Sequence, residues 1–178
     1  MRPPRDPRDD SSRARAPDGK CDPAGRLWVG SKNLHCDKPT GALWSVDGSA
    51  TWTRHVEGVG VSNGLVWTRD RKTFYYIDSP TRTIDAFDYD MKAGTMSNRR
   101  VAVRVKDGDG YPDGCAIDDE DKARVLPSPE PQRAAPRRPL GRGLHTRRAV
   151  IVRRRRRCGW PCGRAGASFV TTRRAAKR

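Results

Sequence analysis

The chain of 178 residues contains no run of about 18 consecutive apolar residues, which excludes a membrane-spanning helix. Arginine is present near the start, but no apolar stretch follows it, so no secretory leader is expected. Cysteine is scarce and odd in number, at Cys21, Cys36, Cys115, Cys158 and Cys162. Such a set does not suggest a disulfide framework, and a reducing, cytoplasmic setting is expected instead. No window of 11 or more residues carries a helical apolar stripe, which leaves strands as the regular element.

Acidic residues are missing from one end. Residues 1–122 hold 20 Lys and Arg against 20 Asp and Glu, whereas residues 123–178 hold 17 against one, Glu130. The formal charge of +16 therefore belongs to the last 56 residues, and the preceding part is neutral. The basic balance is thus no sign that a folded part binds nucleic acid. Ala, Gly, Pro and Arg make up 35 of those 56 residues, a composition with little means of offsetting the entropy of ordering. The tail 123–178 is expected to be disordered and to meet nucleic acid only non-specifically, by counterion release. Its abrupt start, and a single lysine (Lys177) among sixteen arginines, point to an out-of-frame reading of a GC-rich gene. Residues 1–14, rich in Arg, Pro, Asp and Ser without periodicity, are likewise expected to be disordered.

Between these ends lie short runs of Val, Ile, Trp, Tyr, Phe and Thr, punctuated by Gly, Asn, Asp and Pro. They predict strands over 26–31, 42–46, 51–56, 64–68, 73–78, 83–89, 100–105 and 114–118. Three turn signals recur: Pro17-Asp18-Gly19, Ser62-Asn63-Gly64 and Pro112-Asp113-Gly114. From Asp18 to Asn63 is 45 residues and from Asn63 to Asp113 is 50, with about four strands per interval. That is the period of a β-propeller blade, which hides its sheet only by stacking on neighbours around a ring. Residues 15–122 hold about two and a half blades, so the fold class is all-β, an incomplete propeller. An unclosed stack leaves unpaired strand edges, which predicts marginal solubility and self-association.

Asn-Gly and Asp-Gly can mark hairpin turns or present oxygen ligands, and the dipeptides alone leave both readings open. Trp28, Trp44, Trp52, Trp67, Tyr75 and Phe87 sit at strand positions and are expected to pack between blades. Cys115 lies in an apolar strand and is expected to be a small buried hydrophobe. Cys158 and Cys162, three residues apart with no second pair, do not form a zinc pattern. The run from Asp107 to Asp113 lacks the twelve-residue calcium-loop pattern and is read as the approach to the third signal.

Several motifs in order resemble the regucalcin and gluconolactonase family, the senescence-marker-protein lactonases. They are Asp18-Gly-Lys-Cys-Asp-Pro-Ala-Gly-Arg-Leu-Trp-Val-Gly30, Ser62-Asn63-Gly64-Leu65-Val66-Trp67, the run from Tyr75 to Asp90, Ser97-Asn-Arg-Arg100 and Tyr111-Pro-Asp-Gly114. The resemblance covers about residues 15–122 and implies a six-bladed propeller that hydrolyses a sugar lactone with one divalent cation, Ca²⁺, Zn²⁺, Mn²⁺ or Mg²⁺, in its central channel. It implies Asn63 and Asp113 as metal ligands, Asp113 also as the catalytic base, and Arg15 and Asp18 as substrate-binding residues. The family's metal-binding glutamate should precede Asp18 and has no counterpart, since Glu57, Glu120 and Glu130 are the only glutamates. Pro17 stands where the family has a substrate-contacting asparagine, and a further family glutamate falls on or near His35. Asp18, Asn63 and Asp113 would then point hard oxygen donors at one place, as Ca²⁺, Mg²⁺ or Mn²⁺ requires.

Overall fold

A six-residue strand with every residue buried is unusual in an antiparallel sheet, where one face normally meets water. Two consecutive strands of this chain are of that kind, β7 (Ser62–Trp67) and β8 (Thr73–Asp78). Their sheet must therefore be covered on both sides. The computed structural model, described here for residues 14–33, 35–36, 38–128 and 150–152, shows how.

Two antiparallel four-stranded sheets follow one another along the chain. The first has the order β2 (Gly19–Cys21), β3 (Leu27–Gly30), β5 (Gly41–Val46), β6 (Trp52–Val59). The second is β7, β8, β9 (Thr83–Asp90), β10 (Thr95–Arg104). A third sheet orders β11 (Tyr111–Ile117), β12 (Ala123–Ser128) and β13 (Val150–Val152). A two-stranded ribbon pairs β1 (Ala14–Arg15) with β4 (Lys32–Asn33).

The alternation of the middle sheet divides the core in two. Leu65, Trp67, Phe74, Tyr76, Phe87 and Tyr89 face the first sheet and meet Trp28, Leu43 and Val59. Val66, Tyr75, Ile77, Ile84, Ala86 and Val103 face the other way, onto Ala123 and Val125 of the third sheet, with Cys115 and Ile117 packed alongside. Phe74, Ile77, Ile84, Leu43 and Trp28 have no more than a trace of exposed surface. Each such side chain contributes about 1.5–3 kcal/mol on burial. The first strands of the three sheets are neighbours: β7 lies against β11 on one side and β2 on the other.

The first two sheets are also latched at their outer ends. Asp22, buried, accepts hydrogen bonds from Arg26 Nε (2.7 Å), Trp28 Nε1 (3.1 Å) and, across the interface, the Tyr89 hydroxyl (2.5 Å). Burial alone would raise the Asp22 pKa, but the Tyr89, Arg26 and Trp28 bonds outweigh it and hold the carboxyl below the usual range. Trp28 in turn stacks on His55, with ring centroids 4.1 Å apart.

All eight predicted strands are present, 73–78 with the same bounds. The expected boundary at residue 122 is corrected, because Lys122 ends a tight turn rather than the folded part. Beyond it β12 alternates buried Ala123, Val125 and Pro127 with exposed Arg124 and Leu126, a pattern that completes the cover over the middle sheet. The tail expected to be wholly disordered thus supplies β12 and β13, whose backbones pair antiparallel. β1 likewise starts inside the segment 1–14 expected to be unstructured. The remaining tail arginines, Cys158 and Cys162 lie outside the described residues. Among the described residues no helix is long and apolar enough to cross a membrane.

Candidate metal centre and active site

The second and third turn signals do not lie in hairpins. Asn63-Gly64 and Asp113-Gly114 both sit inside first strands, and both fall at breaks in the ladder. β7 pairs with β8 as Asn63 with Ile77 and then Leu65 with Tyr76, and β11 pairs with β12 as Pro112 with Pro127 and then Cys115 with Val125. Such irregularities re-aim a side chain out of the alternation, and they favour small, turn-tolerant residues. Asp18-Gly19 differs, since β2 pairs with β3 in unbroken register from Gly19 onward.

The two irregular stretches abut. A methyl group added to Gly64 would lie 2.8 Å from the Asp113 carbonyl oxygen, the Cys115 Sγ and the Ile77 Cδ1, so only glycine lets β7 approach β11 this closely. Asn63, buried at 4% exposure, donates from Nδ2 to Ser79 Oγ (2.7 Å), and Ser79 donates to the Pro112 carbonyl oxygen (2.6 Å). Asp113 itself is half-buried. Ser79 opens a 3-10 turn over Ser79–Thr81, in which the left-handed Arg82 (φ 53°) returns its N–H to Ser79 O. The Arg82 guanidinium lies 4.0 Å over the Tyr111 ring and donates to Gly110 O (2.9 Å), pinning the entry to β11. Asp78, just before the turn, accepts from the N–H groups of Gly60 (3.1 Å) and Val61 (2.8 Å) and so fixes the approach to β7. Burial raises the Asp78 pKa against those two bonds.

Asp18 joins the site from the first sheet. It is half-buried at the entrance to β2 and accepts from Gly19 N–H (2.8 Å). Its pKa is raised, first by burial and further by the charge of Asp113, against the Gly19 bond and the Lys20 ammonium. Asp18 and Asp113 are therefore electrostatic neighbours. Cys115, beside Gly64 and expected to be a small buried hydrophobe, is partly buried against the core shared with the third sheet, where burial pushes its thiol up to about 12.

Of the four sequence-predicted site residues, Asp18 and Asp113 are near enough for their charges to interact, and Asn63 is joined through Ser79 to the Pro112 carbonyl just before Asp113. Arg15 is placed through its backbone only: β1 pairs Arg15 with Lys32, and Lys32 bridges Val61, next to Ser62 and Asn63. His35 sits in an exposed turn, its N–H on Asn33 Oδ1 (2.8 Å). Ser79, Asp78 and Arg82 escape a reading of the sequence, although Asp78-Ser79-Pro80 is a turn-forming string that marks the place. Among the described residues no three His, Cys, Asp or Glu side chains form a metal cage. The candidate donors are instead the Asn63 carboxamide and the Asp113 carboxylate, with the Asp18 carboxylate near enough for its charge to be felt. That set fits a hard divalent cation in kind, because every donor is oxygen and because a cation would relieve the Asp18–Asp113 repulsion.

Antiparallel meanders stacked face to face, with first strands side by side and the polar residues gathered on them, define a propeller-type all-β protein. The match to known proteins narrows the class. The description SMP-30/Gluconolactonase/LRE-like region fits residues 3–125, and the chain belongs to that family. It is 43% identical to regucalcin of Danio rerio over 110 residues, which are 61% of this chain and 37% of that protein. It is 38% identical to the putative sugar lactone lactonase YvrE of Bacillus subtilis over 112 residues, 63% of this chain and 38% of that one. A crystal structure of a calcium-binding protein, regucalcin from Agrobacterium tumefaciens, superposes with a TM-score of 0.63 at 21% identity, covering 67% of this chain and 41% of the other. The chain spans about two fifths of the length of the curated relatives it matches.

Proposed function

We propose that this chain carries part of a lactone-hydrolysing site of gluconolactonase type, with Asn63 and Asp113 as ligands of one divalent cation and Asp18 and Arg15 beside the substrate. The observation that carries this reading is the pair of ladder breaks that sets Asn63 and Asp113 on abutting first strands. Two turn formers placed for hairpins would have no reason to meet across separate sheets. A bound Ca²⁺, Zn²⁺, Mn²⁺ or Mg²⁺ would polarise the lactone carbonyl and stabilise the negative charge that develops on its oxygen.

The chain's own residues perform the remaining steps. Asp113 takes a proton from a water molecule as the water oxygen bonds to the carbonyl carbon, and the ring C–O bond then breaks. The released hydroxyl recovers the proton, so the product is an open hydroxy acid and Asp113 returns to its starting state. Asp18, held by Gly19 N–H, offers an acceptor to a sugar hydroxyl. Three free thiols among the described residues, Cys21, Cys36 and Cys115, are in keeping with a cytoplasmic setting.

A pH-stat assay on an aldonolactone with each cation in turn tests the proposal. Asp113→Asn should lower cation-dependent turnover by about 10²–10⁴-fold. Hydrolysis that is indifferent to both the cation and Asp113 would remove it. A second reading, a propeller fragment that binds a divalent cation without catalysis, is favoured by the lack, among the described residues, of a third carboxylate grouped with Asp18 and Asp113. Heat of Mn²⁺ binding without turnover would select it.

A further inference from the structure

We propose that Ser79 is the positioning residue that makes Asn63 an oxygen ligand, an inference that rests on the metal-site reading given above. A hydroxyl has one proton to donate. The Pro112 carbonyl can only accept, so the 2.6 Å contact commits that proton to Pro112. The Ser79 oxygen can then only accept from Asn63, and the 2.7 Å contact must be made by the amide NH₂. The carboxamide oxygen consequently lies on the side away from Ser79. Were the proton of Ser79 free, the Asn63 amide could turn over and present NH₂, which cannot ligate a cation.

The same hydroxyl ties the two ligand-bearing strands. Pro112 O belongs to the peptide group that carries the Asp113 nitrogen, so the Asn63–Ser79–Pro112 chain fixes β7 against β11 at the point where both ladders break. Ser79 is fitted for this by its immobility. It is 4% exposed, its N–H is on Val61 O (3.1 Å), and its carbonyl closes the turn by accepting from Arg82. Buried partners that orient a ligand typically alter metal affinity by about 10–100-fold.

The test uses the full chain and two variants. Ser79→Ala removes the junction, and Thr81→Ala removes a neighbouring bond of the same turn, from Thr81 Oγ1 to Asp78 O (2.7 Å), without touching Asn63. In the metal-free protein the Asn63 side-chain NH₂ should give two distinct, slowly exchanging NMR resonances. They should persist in Thr81→Ala and move toward solvent-exposed asparagine values in Ser79→Ala. Titration calorimetry with Mn²⁺ alone should show affinity falling by about 10–100-fold in Ser79→Ala and little change in Thr81→Ala. Equal Mn²⁺ affinity and unchanged Asn63 resonances in Ser79→Ala would overturn the proposal. If Ser79→Ala does not fold, rapid exchange of the Asn63 amide in the unaltered protein would overturn it alone. An unaltered protein that takes up no Mn²⁺ would sink the metal-site reading, and the amide resonances would still decide the role of Ser79.

Discussion

Gly64→Ala is the sharpest perturbation that the packing of β7 on β11 allows. The added methyl would sit 2.8 Å from three atoms, where ordinary contact begins near 3.4 Å. Of the three, Ile77 Cδ1 ends a side chain and can turn aside, but Asp113 O is backbone and Cys115 Sγ is on the same strand. The strand β11 must therefore shift as a unit. Overpacking of this kind costs about 1–3 kcal/mol. Gly64 does not have a left-handed φ, so alanine also narrows the unfolded ensemble and returns about 0.4–1 kcal/mol. The steric term wins, leaving a net loss of about 1–2 kcal/mol, or a fall in Tm of about 4–10 °C for a domain of this size. Gly114→Ala is the internal control, because the same dipeptide position on β11 faces open space and has no positive φ. It should leave Tm within about 2 °C of the parent, since surface changes stay within about 0.5 kcal/mol. Thermal denaturation by circular dichroism reads both, and Mn²⁺ calorimetry should show the loss of affinity for Gly64→Ala alone. A Gly64→Ala protein as stable as Gly114→Ala would refute the close approach of the two ligand strands.

Asp22→Ala should cost about 3–5 kcal/mol in chemical denaturation, because it strips Arg26, Trp28 and Tyr89 of a shared buried acceptor; a loss under about 1 kcal/mol would mean that the latch is ornamental. His55 has its pKa lowered from 6.5 to about 4, by burial first and by Arg26 second. The unfolded chain therefore takes up the proton first, and stability should drop as pH falls from 6.5 toward 4, a slope that His55→Gln removes in pH-dependent denaturation. Asp22 adds to acid sensitivity with the opposite cause: its folded pKa is depressed, so its contribution holds above the ordinary aspartate range and is lost only as pH falls through the lower folded value. Leu27 and Leu126, at the two ends of the stack, are 43% and 55% exposed, so sedimentation should show association that grows with concentration, and Leu126→Lys should weaken it. A species that stays monomeric at all concentrations would count against that surface.

How much of this was legible in the chain depends on what each element leans on. Thr73–Asp78 declares itself because six residues that are buried on both faces must all be of strand-forming, water-avoiding or hydrogen-bonded type. β2 is silent for the converse reason: Gly19, Lys20 and Cys21 are all exposed, and their strand exists because β3 offers a partner, not because their side chains ask for one. β12 was hidden by averaging. Six residues with a clear alternation were swamped by a composition counted over 56, although a strand is decided by its own six and by the sheet waiting to be covered. At the site the limit is of another kind. Asn63-Gly64 and Asp113-Gly114 look alike in sequence, and the shared feature, a tolerance for irregular backbone, serves a hairpin or a ladder break equally well. What separates the two is a contact between strands 50 residues apart, which also gives the two glycines different reasons to exist: Gly64 is required by crowding and Gly114 is not. Ser79 carries this furthest. Nothing in Asp78-Ser79-Pro80 distinguishes it from a surface turn until the Pro112 carbonyl, 33 residues on, arrives to take its proton and, by taking it, decides which end of the Asn63 amide is turned to Ser79 and which is turned away.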